Sequence, residues 1–490
     1  MTGIESKLEV GVADLEVPHT RIAHAVSIQL VCRVLGMLAS VFSVAMTARY
    51  LGPGRYGQLT IAVAFIGMWL SLTDLGIGTV IVRRVTSGRG DLERLIRVNS
   101  GLSLVYCVPL AVIAAVTGLL IYGDRDVRVM LVVLSGQLLM TTMRTRFEPV
   151  FLVTVRFSAV ALSDVLSRLA TLAVVSCLVA ERADIIWFAV AQLIPPAIAL
   201  VIQGGAAARH VSVRPVFSVK ESADLLRETL PIMGVMVVGI LYWRADGVIL
   251  SLVSTHAEIG VYGLAYTVAF NTEALSIFFL KSTLATATEL FSCDVARFGG
   301  FLRRSVELMY FLAVPVAVVG ALLAGPLIRL FGDSAFVGRG APTLALLFIA
   351  VALRFVTGTL GQGLYACHDQ RYFFRVFLVA FGANVLLNFQ LDSRFGAVGA
   401  GVALVCTELF GMAMNSWRLR RRCGFRTPMK FLARLLVPTA ASVVVTLLLS
   451  GYHVILILTA AAIAYLAVNM AIGPVNWASL NSLRGKRLNA

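Results

Sequence analysis

The sequence predicts an all-α polytopic membrane protein with about 14 transmembrane helices. Of its 490 residues, 59% are hydrophobic and only 14% are charged, whereas a soluble domain has roughly 25% charged residues. The apolar segments run for about 20 residues, which is the length that a helix needs to span a bilayer. They do not show the alternation over about ten residues that would indicate a closed barrel. The predicted class is therefore helical throughout.

The spans follow one another as apolar runs bounded by charged or turn-forming residues. The first begins near Arg21 and is the predicted insertion signal, because the polar residues before it lack the layout of a cleaved signal peptide. The last two follow the basic stretch 418–430. The predicted spans are 22–48, 57–82, 98–122, 127–144, 158–180, 184–205, 229–253, 258–284, 305–331, 341–365, 372–391, 396–417, 431–450 and 453–472.

The distribution of basic residues predicts the orientation. Arginine and lysine mark cytoplasmic loops, which also accounts for the net charge of +16 without nucleic-acid binding. When the N-terminus is placed in the cytoplasm, one set of loops collects several times more basic residues than the other, including the run from Arg418 to Lys430. We therefore expect both termini in the cytoplasm. A missing or extra span would move the loops after it to the opposite side of the membrane. The uneven distribution of basic residues therefore also supports the predicted number of spans.

The chain repeats its own pattern at an offset of 206 residues. Tyr56-Gly57 matches Tyr262-Gly263, and Pro109 matches Pro315 in a similar apolar context. Because the offset places the first span on the seventh, we predict two six-helix pseudo-repeats of the same topology, plus two C-terminal helices. The expected domains are a cytoplasmic tail (1–20), a first lobe (21–205), a cytoplasmic loop (206–228), a second lobe (229–417), a basic cytoplasmic loop (418–430), two additional helices (431–472) and a cytoplasmic tail (473–490).

Five cations lie inside the apolar stretches. Each charge at the bilayer centre costs on the order of 2.5–3.5 kcal/mol, so several of them on different spans predict a polar cavity that attracts an anion. The planar guanidinium of arginine suits phosphate oxygens. For each cation the alternative is a neutralising ion pair within the bundle. The candidate cavity cations are Arg33, Arg244, Arg354, Lys281 and Arg168.

Carboxylates inside the spans are candidates for ion coupling, because a buried carboxylate can carry a proton or bind a cation. Asp164 precedes Arg168 by four residues, so a structural pair on one helix face is expected for these two. Glu273 and Lys281 lie two turns apart on one face, and Glu408 is a further intramembrane carboxylate. Asp246 and Glu273 are the first choices among the candidates Glu273, Asp246, Asp74 and Asp164.

Enzyme chemistry finds little support in the sequence. Asp124-Arg-Asp126 has the form of a nucleotide-sugar motif but lies in a very short loop that is predicted to be outside. The chain contains no phosphate-binding GxxxxGK[ST] and no HExxH, and its seven cysteines show no zinc or disulfide spacing. We expect no catalytic residues, no metal site and no cofactor, and coupling to a proton or sodium gradient is left open.

Several motifs resemble the polysaccharide-exporter branch of the multidrug/oligosaccharidyl-lipid/polysaccharide flippase superfamily. The first is a Leu-Gly-Pro-x-x-Tyr-Gly turn after the first span, followed by an Asp-Leu-Gly-x-Gly segment and a basic loop. The second is an Asp-containing seventh span followed by a Gly-x-Tyr turn. In this sequence they are Arg49–Thr60, Asp74–Thr79 with Arg83-Arg84, Arg156-Phe157, Arg244–Leu250 and Ile259–Tyr266.

The resemblance implies a flippase in the bacterial plasma membrane that moves polyprenyl-pyrophosphate sugars outward by alternating access, for cell-surface polysaccharide synthesis. Alternatives within the superfamily are a lipid II, teichoic or teichuronic acid flippase and a multidrug or cation antiporter. A scaffold without transport is a third class. Expected partners are the lipid-linked sugar and membrane lipids, with a polymerase and glycosyltransferases left open, and a monomer is expected. Whether spans 13 and 14 form a lipid-tail groove, as in the lipid II flippase, is also left open.

Overall fold

A computed structural model describes residues 19–73, 76–154, 158–212 and 214–475. Within these ranges the backbone alone is described for 19–34, 71, 231–232 and 234–244. The structure is 88% helical, and no strand occurs in the described ranges. The predicted all-α class is therefore confirmed.

The helices are numbered here in chain order, and short 3-10 turns at Ser71–Thr73 and Asn271–Glu273 interrupt two of the predicted spans. The described helices are α1 (His19–Leu70), α2 (Ile77–Thr86), α3 (Leu92–Ile121), α4 (Arg125–Thr145), α5 (Glu148–Thr154), α6 (Ser158–Ala180), α7 (Ile185–Ala191), α8 (Ile194–Ala207), α9 (Val219–Val253), α10 (His256–Phe270), α11 (Ala274–Cys293), α12 (Val295–Leu322), α13 (Ala324–Phe331), α14 (Ser334–Ala366), α15 (Gln370–Phe395), α16 (Ala397–Cys423), α17 (Met429–Leu448) and α18 (Val454–Ile472).

Twelve helical segments in the described part of the chain are long and apolar enough to cross a membrane. The protein is thus a multi-pass membrane protein, and the count of about 14 stays a prediction. One of the twelve lies within α1, where Gly52 adopts φ 67° and ψ 171° and Pro53 follows it. Since only glycine takes this left-handed region readily, the helix bends there, between the first two predicted spans.

The chain divides into two compact units. The boundaries between them fall inside α1, α3, α4 and α9 and in the 3-10 turn at Ser71–Thr73. The predicted lobes at 21–205 and 229–417 remain a prediction. The first unit comprises Met1–Ser43, Thr73–Ala115 and Val133–Ile232, and the second comprises Val44–Leu72, Val116–Val132 and Met233–Ala490.

In the first unit, a hydrophobic cluster joins helices that begin or end at the predicted cytoplasmic loops. Ile77, Val80 and Ile81 lie on one face of α2 at helical spacing and are almost completely buried. They belong to the same cluster as Phe151 of α5 and Leu225 of α9. This packing fixes the short helices α2 and α5 against the start of α9.

Ion pairs border this cluster. Glu228 accepts hydrogen bonds from Arg83 at 2.8 Å and from Arg84 at 2.7 Å, and the bond from Arg84 lowers the pKa of the Glu228 carboxyl below its usual range. Arg94 pairs with Glu221 at 2.8 Å. These pairs hold the end of α2 and the start of α3 to the N-terminal part of α9, although each contributes little because its partners are partly exposed.

In the second unit, α1 and α10 cross at glycines. A Cβ on Gly57 would overlap the His256 carbonyl oxygen, and one on Gly260 would overlap the Pro53 carbonyl oxygen. A Cβ on Gly263 would press against Thr60. Small residues permit such close backbone approach between membrane helices, where van der Waals packing drives association. The crossing therefore brings the Tyr56-Gly57 and Tyr262-Gly263 turns of the predicted repeats together.

We expect Gly260→Ala to destabilise the protein by about 1–3 kcal/mol, because the added methyl meets backbone atoms that cannot move aside. Gly300→Ala in α12 is the matched control, since nothing lies within 4 Å of a Cβ built there. The thermal midpoint of unfolding in detergent measures both effects. A Gly260→Ala midpoint equal to that of the control would contradict the close crossing.

Candidate functional site

Three of the predicted site residues fall outside what the structure describes. Asp74 lies in an undescribed gap, and the side chains of Arg33 and Arg244 lie outside the description, although both residues are helical. The remaining candidates fall into separate places. Arg354, Glu273 and Asp246 belong to buried clusters in the second unit, Lys281 lies on a cleft of that unit, and Asp164 and Arg168 lie in the first unit.

Arg354 is held between two carboxylates. Its Nε donates to Glu273 Oε1 at 2.7 Å, and its Nη1 lies 3.7 Å from Glu408 Oε1. The three side chains are 11%, 10% and 5% exposed, in that order. The guanidinium also lies 5.6 Å from the centre of the Phe270 ring. One cation thus faces two anions in a dry interior, where an unpaired charge is costly.

A break in the eighth predicted span positions Glu273. Helix α10 ends at Phe270, the 3-10 turn Asn271–Glu273 follows, and α11 starts at Ala274. Tyr266 stacks on Phe270 with ring centres 4.0 Å apart just before the break. The turn directs the Glu273 carboxylate to Arg354 of α14, and Glu408 approaches from α16. With both acids ionised, these three side chains together carry one net negative charge.

Asp246 is the centre of a second buried cluster, formed by α9, α10 and α15. It is 4% exposed. Asn388 Nδ2 donates to one of its oxygens at 3.1 Å, and the Tyr262 hydroxyl donates to the other at 3.4 Å. The same Asn388 amide also donates to Asn384 Oδ1 at 2.9 Å. Both amides and the tyrosine are almost completely buried.

Asp392 adds a second carboxylate to this cluster, so that the cluster contains more acceptor oxygens than hydrogen-bond donors. Asp392 is 1% exposed, and among the described residues neither of its carboxylate oxygens has a hydrogen-bond partner, nor does Asn388 Oδ1. The Asp392 and Asp246 charges interact electrostatically. Buried oxygens that outnumber their donors are satisfied by a proton or by a hard cation such as sodium, which takes oxygen ligands. The cluster is therefore a candidate coupling site.

Sequence reasoning identified Asp246 and missed its partners. Asn384, Asn388 and Asp392 are four residues apart and so share one face of α15. That polar stripe in an apolar helix was the available signal, but the predicted span ended at residue 391. No group of three histidine, cysteine or acidic side chains in the described ranges could hold a metal ion.

In the first unit, Arg168 and Asp164 form the expected pair. Arg168 Nε donates to Asp164 Oδ1 at 3.1 Å along α6. A Cβ on Gly36 would lie 3.0 Å from Arg168 Cδ, so the arginine side chain covers this part of α1. The pair is confirmed, while a role of either residue in a cavity stays a prediction.

Lys281 lies apart from Glu273, although both belong to the same predicted span. Glu273 is buried against Arg354, whereas Lys281 is exposed and has no ion pair among the described residues. Lys281 lines a cleft of about 530 Å³ formed by α11, α14 and α15. The side chains of Glu273 and Lys281 therefore lie in different environments, one in a buried ion pair and the other on an exposed cleft.

The basic C-terminal end of α16 is partly fixed by the turn between α14 and α15. Asp369 accepts hydrogen bonds from Arg418 at 2.6 Å and from Arg422 at 3.1 Å. The hydrogen bond from Arg418 holds the pKa of the Asp369 carboxyl below its usual range. Arg418 also stacks on Tyr372 at 4.8 Å. Two cations of the run thus have a structural role at this end of the second unit.

Sequence comparison identifies two kinds of relative. The family model described as polysaccharide biosynthesis protein matches residues 22–284. The probable flippase AglR of Haloferax volcanii is 24% identical over 214 residues, which are 43% of this chain and 45% of that protein. The chain thus spans less than half the length of this curated relative.

Solved structures share the fold. The inward closed conformation of the lipid II flippase MurJ superposes with a TM-score of 0.76 at 14% identity, covering 91% of this chain and 98% of that one. An inward-facing multidrug resistance MATE family transporter of the MOP superfamily gives 0.63 at 13% identity, covering 79% and 94%. The family model confirms the resemblance to polysaccharide exporters that the sequence motifs predicted, and the solved structures show a shared fold.

We expect Arg354→Ala to destabilise the protein by about 3–5 kcal/mol, because it leaves two buried carboxylates without their cation. Arg297→Ala is the control; this arginine pairs with Asp294 at 3.4 Å but is 73% exposed, so the loss should be at most about 1 kcal/mol. Adding Glu273→Gln and Glu408→Gln to Arg354→Met should recover much of the stability. Equal midpoints of unfolding for Arg354→Ala and Arg297→Ala would contradict the pairing of Arg354 with Glu273 and Glu408.

Proposed function

We propose the following function for this chain, which belongs to the polysaccharide biosynthesis protein family. It moves a lipid-linked oligosaccharide from the inner to the outer leaflet by alternating access, for the synthesis of cell-surface polysaccharide. The observation that carries the proposal is the family match over more than half of the chain. The fold shared with a lipid II flippase over 91% of the chain supports it.

The proposed cargo is an amphiphile with a polyprenyl tail and a pyrophosphate-linked sugar. Its phosphate charges need cations inside the bilayer, and Arg33, Arg168 and Arg244 are the proposed contacts. Arg354 contributes through the trio with Glu273 and Glu408, because a change in protonation there would alter the local charge. Lys281, the remaining candidate cation, lines the cleft between α11, α14 and α15, so we do not count it among the cargo contacts.

The proposed coupling site is the buried cluster of Asp246 and Asp392. A proton or sodium ion bound between them would cancel their repulsion and supply the missing partner of the Asp392 oxygens. Such an ion changes the conformational equilibrium only by its difference in affinity between the two states. We propose that the state with α9 and α15 packed as seen here binds it more tightly.

The proposed location is the bacterial plasma membrane with both termini in the cytoplasm, as the basic loops predict. We propose that the chain acts without catalysing a chemical reaction and works as a monomer. A polymerase and glycosyltransferases of the same route are the proposed partners, since they would supply or consume a lipid-linked sugar.

A multidrug or cation antiporter is the second candidate. The buried acids of the second unit favour it, because carboxylates attract cationic drugs as well as coupling ions. Deletion of the gene in its host separates the two functions. Loss of surface polysaccharide with unchanged drug sensitivity supports the flippase, and the reverse result supports drug export.

In that deletion strain, we expect Asp246→Asn and Asp392→Asn each to restore roughly tenfold less surface polysaccharide than the wild type, because the missing charge removes the bound ion's effect on the conformational equilibrium. Asp224→Asn, an exposed acid of α9, should restore it fully. Immunoblotting verifies equal protein amounts in the membrane. Full restoration by both cluster variants would rule out this coupling site without touching the cargo assignment.

A further inference from the structure

A cleft in the second unit combines apolar walls with one lysine. It measures about 530 Å³, within the range of about 300–1,000 Å³ that is typical of ligand pockets. Leu280 and Leu284 of α11 and Phe373 of α15 form its apolar sides, and the glycine-containing face of α14 forms the third.

Two glycines of α14 set the shape of this wall. A Cβ on Gly361 would lie 2.6 Å from Phe373 Cε2, and one on Gly358 would lie 3.2 Å from Leu280 Cδ1. Larger residues would push these side chains into the cleft. Gln362 links α14 to α11, since its Nε2 donates a hydrogen bond to the Leu280 carbonyl oxygen at 2.7 Å. The cleft is therefore bounded by fixed contacts.

The polar groups lie at the cytoplasmic end, as judged from the predicted orientation. His368 lies in the turn between α14 and α15, Gln370 is the first residue of α15, and Lys281 of α11 lines the same cleft. All three are exposed, and Lys281 has no ion pair in the described part of the chain. An exposed lysine next to an apolar slot, with His368 on the same cleft, offers a partner for a lipid phosphate, because a long lysine side chain can carry its charge toward the headgroups.

We propose that this cleft binds an anionic phospholipid of the inner leaflet. Lys281 pairs with the phosphate, His368 and Gln370 offer hydrogen bonds to the headgroup, and an acyl chain lies against Leu284 and Phe373. Basic pockets between transmembrane helices on the cytoplasmic side favour such lipids. The site goes beyond the proposed transport function, because its occupant is a resident lipid and not the cargo.

Native mass spectrometry of the purified full-length protein tests this proposal, with dioleoyl phosphatidylglycerol and dioleoyl phosphatidylcholine as probes. We expect the wild type to prefer phosphatidylglycerol. Lys281→Gln should weaken that binding about fivefold, the effect of roughly one cationic contact near the membrane surface. Lys281→Arg should retain it, and Lys430→Gln, an exposed lysine outside the cleft, should leave it unchanged.

Leu284→Trp keeps Lys281 but fills the apolar slot, so it should also weaken phosphatidylglycerol binding. This variant tests the proposal even if Lys281→Gln fails to fold. Equal binding by Lys281→Gln and wild type would overturn the proposal. So would competition by inorganic phosphate alone, which would indicate a free anion. Displacement of phosphatidylglycerol by undecaprenyl phosphate in a Lys281-dependent manner would identify the occupant as cargo and also overturn it.

Discussion

Charge balance in an apolar interior is the constraint on which the second unit depends. Arg354 is tolerated because Glu273 and Glu408 approach it from two other helices. The same requirement explains why Asp246 is surrounded by donors from Tyr262 and Asn388. Arg354 and Asp246 each have partners on other helices, so these helices cannot slide or rotate freely without exposing a charge. Among the described residues, the Asp392 carboxylate oxygens and Asn388 Oδ1 lack hydrogen-bond partners, and a shortage of donors of that kind is where a mobile ion can act.

Local breaks in helix geometry place these partners. The bend at Gly52 and Pro53 and the turn at Asn271–Glu273 interrupt apolar segments that would otherwise run straight. The close crossing of α1 and α10 at Gly57 and Gly260 then fixes the axis from which Tyr262 reaches Asp246. A movement of α10 would therefore disturb both the glycine crossing with α1 and the hydrogen bond from Tyr262 to Asp246.

The sequence predicts much of this fold, because long apolar segments leave few alternatives to transmembrane helices. The helix at Ser158–Ala180 and the Asp164–Arg168 pair follow directly from hydropathy and four-residue spacing. The partners of Arg354 do not, because Glu273 and Glu408 lie 81 residues before it and 54 after it, and nothing local links them. The sequence does not predict Asp392 as a buried residue, because it lies at the end of an apolar run, where an acidic residue usually belongs to a loop. Tertiary contact, not local pattern, decides which charges meet.

The central claim is that the chain carries an anionic lipid-linked sugar across the bilayer. Reconstitution into vesicles with a fluorescent polyprenyl-pyrophosphate oligosaccharide tests it most directly, because a membrane-impermeant quencher reports the outer leaflet alone. The account predicts that the wild type exposes the inner-leaflet cargo much faster than protein-free vesicles do, at a rate that changes when a sodium or proton gradient is imposed. A rate equal to that of protein-free vesicles, from correctly folded protein with the gradient present, would contradict it.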